Sequence, residues 1–310
     1  MCMVKIQLFV TTYNRPHLVL NAIQSALNQN HDSFEIIVSD NSTNDETEIL
    51  VTQIDDKRLL YRRRKPSIPV IDHLNVILKE VTSDYFMIFH DDDTMHFNML
   101  EYLYNIISKR KEIVAIGANA RVVENDKFRR KNFYNSLKSD VIILNLDQII
   151  KAYSVPGFVP FPSYLYRKEV AQKLRFNSEH GGKHCDSAFI IDLLTLGPIV
   201  FVANPLMNYN IHVNQDSGIF EFTDGLKLIK YITSLSKFQK DHRLIKRFRI
   251  QNIYGELKYL LLSENISVFS KKYKRFISLL LKYSFTEYFP KIILLTVYHK
   301  ILNIMKMPGK

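Results

Sequence analysis

The sequence predicts an α/β protein in which helices flank a mostly parallel sheet. Short apolar runs alternate with segments of helical spacing over residues 5–117, and polar loops follow three of these runs. The run Tyr85–Phe89 is apolar without a break, as expected of a strand that is buried on both faces of a sheet. Strands that alternate with helices form βαβ units, and their right-handed crossovers place neighbouring strands parallel.

In the first part of the chain, predicted strands and predicted helices alternate. Lys5–Val10 is the first predicted strand, and Pro16 can open the helix that follows it. Phe34–Ser39 is a second buried strand, after which Thr43 or Asn44 can cap a helix that runs toward residue 54. Further strands are predicted at 59–62, 85–89 and 113–117, and helices at 17–28, 70–81 and 98–109.

The middle of the chain is less regular than its beginning. We predict a loop at 155–163, a strand at 164–167, a polar Gly-Gly loop at 181–186, a helix at 188–196 and a strand at 199–203. The stretch 209–218 is predicted to be polar and turn-like at its end. From Leu226 onward the pattern is mostly helical, with most basic side chains away from the apolar face.

Charge divides the chain into two parts. Residues 1–225 carry 24 Lys and Arg against 27 Asp and Glu, whereas residues 226–310 carry 18 against 4. We therefore predict a nearly neutral α/β domain at 1–225 and a basic, mostly helical region at 226–310. The interleaved aliphatic residues, and the lack of a known nucleic-acid-binding motif, favour an anionic membrane surface over nucleic acid as the partner of the tail. The alternative is that these helices pack on the body and leave their lysines in solvent.

Cysteine content and the terminal sequences bear on location. Cys2 and Cys185 are the only two cysteines of the sequence, and their spacing suggests no zinc site, so a reducing compartment is expected. The amino terminus enters a strand pattern directly, which predicts no signal peptide. The apolar run at 292–297 is too short to span a bilayer. We therefore expect a cytoplasmic protein.

Three carboxylates, Asp91–Asp93, lie where the predicted strand 85–89 ends. Adjacent negative charges repel one another, so this triplet needs either bulk water or a cation. We interpret it as a divalent metal site, with hard oxygen ligands suited to Mn²⁺ or Mg²⁺; the alternative is an acidic surface turn. Loops at the carboxyl ends of parallel strands meet at one crevice, so the loops 11–15, 40–45 and 91–94 should converge.

Taken together, these loops resemble those of the family 2 glycosyltransferases, which have the GT-A fold. Residues 10–16 (Val-Thr-Thr-Tyr-Asn-Arg-Pro) look like the opening strand and loop, and 34–42 look like the second strand and loop. Residues 89–93 (Phe-His-Asp-Asp-Asp) are similar to the DxD region, and Asp186 and His212 complete the set in the family's order. The resemblance covers about residues 3–220.

The resemblance implies roles for particular residues. Those implied to bind the nucleotide-sugar donor are Thr11, Tyr13, Arg15, Asp40, Asn75, Asp91 and Asp92. Those implied to bind the metal ion are Asp91, Asp93 and His212. A triplet leaves open which carboxylate touches the metal and which the ribose. Asp40 stands where the family places an Asp that hydrogen-bonds uracil, which favours a UDP-sugar. The alternatives are a turn Asp at Asp40, an ordinary polar helix residue at Asn75 and a structural His at His212.

Asp186 is the implied catalytic base. Direct displacement needs one carboxylate near the acceptor hydroxyl, on the face opposite the leaving group. A single base without a nucleophilic partner implies inversion at the anomeric carbon. The family usually has Glu-Asp here, whereas this chain has Cys185-Asp186. The alternative is a helix N-cap Asp, because Asp is favoured there.

The expected activity is therefore transfer of a sugar from a nucleotide-sugar to a glycan acceptor, with a lipid-linked oligosaccharide as the expected form of that acceptor. The resemblance implies a bacterial surface-polysaccharide pathway, and the charge of the tail predicts peripheral attachment to the cytoplasmic face of the inner membrane. A sugar nucleotidyltransferase is the first alternative, but its Gly-rich phosphate loop is missing from Thr11–Pro16. The second alternative is a catalytically inactive glycosyltransferase-like scaffold.

Overall fold

The computed structural model describes residues 5–125, 127–154, 159–212, 222–235 and 243–262, with the single residues Lys274, Ser278 and Pro290. The chain divides into two compact units. The first contains residues 1–178 and 185–214, and the second contains residues 179–184 and 215–310. The division therefore falls near residue 214, whereas the sequence places it after residue 225.

The first unit is built on a sheet of ten strands, which follow the order β3-β2-β1-β4-β9-β6-β10-β5, with β7 paired to β6 and β8 paired to β10. The strands are β1 Ile6–Thr12, β2 Phe34–Asp40, β3 Leu59–Arg63, β4 Tyr85–His90, β5 Thr94–Met95, β6 Ala115–Glu124, β7 Lys127–Arg130, β8 Val141–Ile143, β9 Leu165–Arg167 and β10 Ile199–Ile211.

Seven helices of this unit lie in the connections between strands. They are α1 Pro16–Leu27, α2 Glu46–Val51, α3 Val70–Glu80, α4 Met99–Ile107, α5 Leu146–Ser154, α6 Lys168–Ala171 and α7 Cys185–Leu196. Pro16 begins α1, as predicted, because its fixed φ suits the first turn of a helix. The described residues thus confirm the predicted α/β class with a mostly parallel sheet.

The register of β1 explains why the polar loops come together. β1 pairs in parallel with β2 on one side and with β4 on the other, so Thr12 lies opposite Asp40 and Thr11 lies opposite His90. The three strands therefore end at the same level of the sheet. Their side chains form the centre of the core, where Leu8, Phe9 and Ile88 are fully buried.

The structure differs from the predicted pattern in its second half. β9 runs antiparallel between β4 and β6, whereas β6 and β10 are parallel to each other. β10 continues to Ile211, well beyond the predicted end at residue 203, and irregular pairing around Pro205 accommodates the proline within the strand. Residues 155–158 of the predicted loop 155–163 lie outside the described residues, as do residues 213–218 of the predicted polar turn.

The second unit contains two described helices, α8 Phe222–Leu235 and α9 Arg243–Leu262. A short turn of the same unit contacts α8, because the Lys183 amide donates to the Asp224 carboxylate at 2.9 Å. The predicted helical character from residue 226 is confirmed for these two segments, and the rest of the basic region lies outside the described residues. Among the described helices, none combines the length and the apolar character that crossing a membrane requires.

Candidate functional site

The loop after β1 is tied to the carboxylate triplet. The Thr12 hydroxyl donates to Asp91 Oδ2 at 2.7 Å, and both side chains are buried. The Arg15 guanidinium lies 3.2 Å from Asp91 Oδ1 and 3.4 Å from Asp92 Oδ2. One cation therefore faces two of the three acids, which offsets their mutual repulsion.

The loop after β2 joins the loop after β1. Asn14 has a φ of 53°, a left-handed conformation that Asn tolerates better than most residues, and its amide donates to Ser42 Oγ at 2.8 Å. The Thr43 amide donates to Asn14 Oδ1 at 3.0 Å. The three predicted loops thus lie together, because the first loop contacts both of the others.

The end of β10 holds the triplet from the other side. The Asn210 amide donates to Asp93 Oδ1 at 2.9 Å, and the Asn210 side chain donates to the Asp92 carbonyl at 2.7 Å. His212 Nε2 lies 3.1 Å from Asp92 Oδ2. The predicted site residue His212 therefore reaches the acidic loop, where its described contact is with a carboxylate.

Three side chains of this loop could hold a metal ion together. One potential ligand atom each from His90, Asp92 and Asp93 lies within 4.8 Å of the others. Asp93 and Asp92 belong to the predicted site, whereas His90 was not predicted, although it directly precedes the triplet. Its ring faces Phe161, with the centroids 5.9 Å apart.

Asp93 shows that this cluster suits a cation. Its side chain is 1% exposed, and its Oδ2 atom has no hydrogen-bond partner among the described residues. Burial, and second to it the negative charge of Asp92, raises the pKa of Asp93 well above its usual range. A buried carboxylate oxygen of this kind needs either a proton or a cation, and hard divalent ions prefer such oxygens.

Asp91 differs from its neighbours in that both of its oxygens are engaged by Thr12 and Arg15. Burial raises the pKa of Asp91, and the Thr12 hydroxyl and the charge of Arg15 oppose that rise. Asp91 lies outside the three-residue cluster, so its predicted role as a metal ligand stays a prediction.

Two of the predicted donor-binding residues use their side chains within the protein. Asp40 is fully buried, and it accepts bonds from the Ser42 amide at 2.7 Å and from the Tyr61 hydroxyl at 2.6 Å. Asn75 forms two bonds to the backbone of Phe176, at 3.0 and 2.8 Å. The geometry gives both residues a structural task and offers no support for direct contact between Asn75 and the donor.

Of the remaining predicted residues, Thr11 and Tyr13 lie at the end of β1 and in the loop after it, and Asp186 lies in α7. Tyr13 is 51% exposed on the first loop, and the Thr11 hydroxyl donates to the Phe89 carbonyl at 3.2 Å. Asp186 is half-buried in the first turn of α7, where it accepts a bond from the Ser187 amide at 2.6 Å. No described hydrogen bond or ion pair joins Asp186 to the triplet, so its role as a base stays a prediction.

Sequence reasoning missed Thr12 and Asn210 as well as His90. Thr12 stands opposite Asp40 in the register of two strands, which the sequence alone does not give. Asn210 lies in the stretch that was predicted as a polar turn, although its place two residues before His212 could have singled it out.

Comparison with known proteins identifies the family. The family model described as "Glycosyl transferase family 2" matches residues 8–175, more than half of the 310 residues. An uncharacterized glycosyltransferase of Haemophilus influenzae is 23% identical over 279 residues, which are 80% of this chain and 80% of that protein. The GalNAc(5)-diNAcBac-PP-undecaprenol beta-1,3-glucosyltransferase of Campylobacter jejuni is 28% identical over 188 residues, 58% of this chain and 57% of that protein.

The matched stretch is a small part of some relatives. An uncharacterized glycosyltransferase of Rickettsia bellii is 30% identical over 125 residues, which are 40% of this chain but 18% of that protein. The chain therefore spans about a fifth of the length of this relative, and the relative's whole activity is not carried over.

Solved structures show the same fold. S. aureus TarS 1-349 in complex with UDP-GlcNAc has a TM-score of 0.62 at 14% identity, over 90% of this chain and 80% of that one. The mannosyltransferase PcManGT from Pyrobaculum calidifontis, in complex with GDP-Man and Mn²⁺, has a TM-score of 0.59 at 13% identity, over 99% and 88%. Both neighbours are GT-A type glycosyltransferases. The chain belongs to glycosyl transferase family 2, and it is a glycosyltransferase with the GT-A fold.

Proposed function

We propose that this enzyme transfers a sugar, with inversion, from a nucleotide-sugar to a hydroxyl of a glycan acceptor. The observation that carries the proposal is the buried Oδ2 atom of Asp93, which has no hydrogen-bond partner in the described part of the chain and belongs to the His90–Asp92–Asp93 cluster. The three loops that meet at this edge of the sheet would form the walls of a crevice around that oxygen. In open α/β sheets such crevices bind ligands.

The cluster suits a divalent cation, and Mn²⁺ or Mg²⁺ is the expected ion. Asp93, Asp92 and His90 would hold it, and Arg15 keeps Asp91 and Asp92 in place beside it. When bound, the ion stabilises negative charge on the departing diphosphate. PcManGT, one of the structural neighbours, was solved with Mn²⁺.

The expected donor is a UDP-sugar. The argument for uridine is the position of Asp40 at the end of β2, together with Thr11, Tyr13 and Arg15 in the adjoining loop. The neighbours were solved with different nucleotide-sugars, UDP-GlcNAc in TarS and GDP-Man in PcManGT. Asp40 is buried, so it would act on the base by fixing the Ser42 backbone as well as by any direct bond.

Asp186 is the proposed base. It would remove the proton of the acceptor hydroxyl as the new glycosidic bond forms at the anomeric carbon. Its half-buried place in the first turn of α7 keeps the carboxylate near solvent, where an acceptor can reach it. No second carboxylate is assigned as a nucleophile, so one displacement inverts the anomeric configuration.

The proposed acceptor is a lipid-linked oligosaccharide of a bacterial surface polysaccharide. The Campylobacter relative is named for an undecaprenol-linked acceptor. In this chain, residues 226–310 carry a large excess of Lys and Arg among aliphatic residues, which suits an anionic membrane face. We therefore place the enzyme on the cytoplasmic face of the inner membrane, attached peripherally.

A donor screen tests the activity and the base together. Purified enzyme is incubated with a panel of nucleotide-sugars and a lipid-linked acceptor, and products are identified by mass and by the anomeric configuration of the new bond. Asp186→Asn should abolish transfer, whereas Asp192→Asn, a half-buried Asp on the same helix, should leave it nearly unchanged. Retained transfer in Asp186→Asn would remove the base assignment, and no turnover with any donor would favour the inactive scaffold.

Metal binding is tested separately from activity. Calorimetric titration with Mn²⁺ should show one site in the native enzyme, and Asp93→Asn should weaken binding at least tenfold, because the amide removes a charged ligand. Asp84→Asn, an exposed Asp before β4, is the matched control. Unchanged Mn²⁺ affinity in Asp93→Asn would contradict the assignment.

The proposed membrane contact of residues 226–310 is tested by removing positive charge. Replacing Lys271, Lys272, Lys274 and Arg275 with Gln should weaken binding to anionic vesicles, because each cation near such a surface contributes about 1 kcal/mol. Unchanged vesicle binding in this variant would contradict the proposed membrane role of that segment.

A further inference from the structure

A second basic surface lies in the first unit, far along the sequence from the tail. β6 and β7 pair as an antiparallel hairpin, which we call the basic hairpin and define as residues 121–131. Phe128 in its second strand is 64% exposed. Its cations, all exposed, are Arg121, Lys127, Arg129, Arg130 and Lys131. The acids of this stretch are Glu124 and, from the sequence, Asp126.

The contacts of the basic hairpin leave part of its charge available. Arg129 forms an ion pair with Glu124, and the Arg130 guanidinium lies over the Phe133 ring at 5.6 Å. Lys127 and Lys131 have no ion pair among the described residues. The surface thus combines uncompensated cations with a large apolar side chain in solvent.

The register of the sheet places this hairpin beside the candidate active site. Val123 of β6 lies opposite Asn210 of β10, and Glu124 lies opposite Ile211. Asn210 is the residue whose amide binds Asp93. The hairpin therefore begins one strand, or about 5 Å, from the strand end that holds the metal-site loop.

Cations interleaved with an exposed aromatic residue are suited to the boundary between headgroups and acyl chains. The cations attract anionic headgroups, and an aromatic ring gains from leaving water at that depth. A surface that only needed solubility would not gain from an exposed Phe at its centre. Charge complementarity thus favours an anionic lipid surface as the occupant.

We propose that the basic hairpin docks on an anionic phospholipid bilayer and so holds the mouth of the crevice against the membrane. This inference goes beyond membrane attachment through the tail, because it assigns contact to the catalytic unit itself. Its benefit to catalysis rests on the proposed lipid-linked acceptor, but the docking does not.

The first test uses the absence of Trp from the chain. Phe128→Trp introduces a single Trp into the full-length protein, and Leu144→Trp is the matched control. Leu144 is 61% exposed and follows β8, which pairs with the amino-terminal end of β10, away from the hairpin. With phosphatidylglycerol vesicles, the emission of Trp at 128 should shift to shorter wavelength, and that at 144 should not.

The outcomes of this test separate the possible occupants. No shift at 128 while the protein co-sediments with vesicles would overturn the proposal, because the tail alone would then make the contact. Equal shifts at both positions would also overturn it. A shift at 128 with inorganic diphosphate alone would assign the hairpin to a soluble anion instead.

The second test concerns charge. Lys127→Gln with Lys131→Gln should weaken binding to the same vesicles about 25-fold, at about fivefold per cation. Lys109→Gln with Lys111→Gln removes two exposed lysines at the other end of β6 and should change binding less than twofold. Equal effects of the two pairs would overturn the proposal. Hydrolysis of the donor without acceptor should stay unchanged in both, which keeps this result separate from a failure of the proposed transferase activity.

Discussion

The bond between Thr12 and Asp91 gives a quantitative test of how the fold stabilises its acidic triplet. Thr12→Val keeps the branched shape of the side chain and removes the hydroxyl that donates to Asp91 Oδ2 at 2.7 Å. Both residues are 4% exposed, so water cannot replace the lost donor. A hydrogen bond to a charged group contributes about 1.5–3 kcal/mol, and we expect the free energy of unfolding to fall by about 2 kcal/mol.

Thr11→Val is the matched control for this prediction. The Thr11 hydroxyl donates to the neutral Phe89 carbonyl at 3.2 Å, and the residue is half-buried, so its loss should cost about 0.5–1 kcal/mol. Urea denaturation of the two variants measures both values, provided that the slope m is unchanged. If Thr12→Val costs no more than Thr11→Val, the bond does not stabilise the buried carboxylate and the reasoning fails.

Three further predictions concern the stability of the first unit. Asn75→Ala should lower the free energy of unfolding by about 2 kcal/mol, because both bonds to Phe176 are lost, with little change in the KM for the donor. Gly117→Ala should cost about 1–3 kcal/mol in thermal unfolding, because the new Cβ would lie 2.8 Å from the Tyr164 ring. Burial lowers the pKa of His73 from 6.5 to about 4. The folded state then binds fewer protons than the unfolded state, so the free energy of unfolding should fall by up to about 3 kcal/mol between pH 7 and 4. The fall over the same pH range should be smaller in His73→Gln.

Much of the fold could be predicted from the sequence, because local periodicity decides strands and helices. The strands that carry the three polar loops are mostly apolar, and the rule for parallel sheets then places the loops together. The direction of β9 could not be predicted, since a strand of three residues carries no signal of its orientation. The length of β10 was hidden by Pro205, which normally argues against a continuing strand.

The acids of the candidate site could be predicted from the sequence, whereas most of the residues that contact the site could not. Asp91–Asp93 stand out because three carboxylates follow a buried strand. Tyr61, which donates to Asp40, and Phe176, which bonds to Asn75, lie 21 and 101 positions away, so no local pattern points to these two contacts. Both residues resembled donor-binding positions by motif, and the tertiary contacts show how such positions also hold the loops in shape.

In the described contacts, the acids of the triplet receive different numbers of hydrogen-bond donors. Asp91 has a donor on each oxygen, from Thr12 and Arg15, so its charge is balanced within the protein. Asp93 receives one donor, the Asn210 amide on Oδ1, although it is the most deeply buried of the three. Burying a carboxylate oxygen without a partner is costly. Because both oxygens of Asp91 are engaged but only one oxygen of Asp93 is, we infer that Asp93 is the acid that binds a cation. Changes at Thr12 should therefore act on the alignment of the loop, whereas changes at Asp93 should act on ion binding.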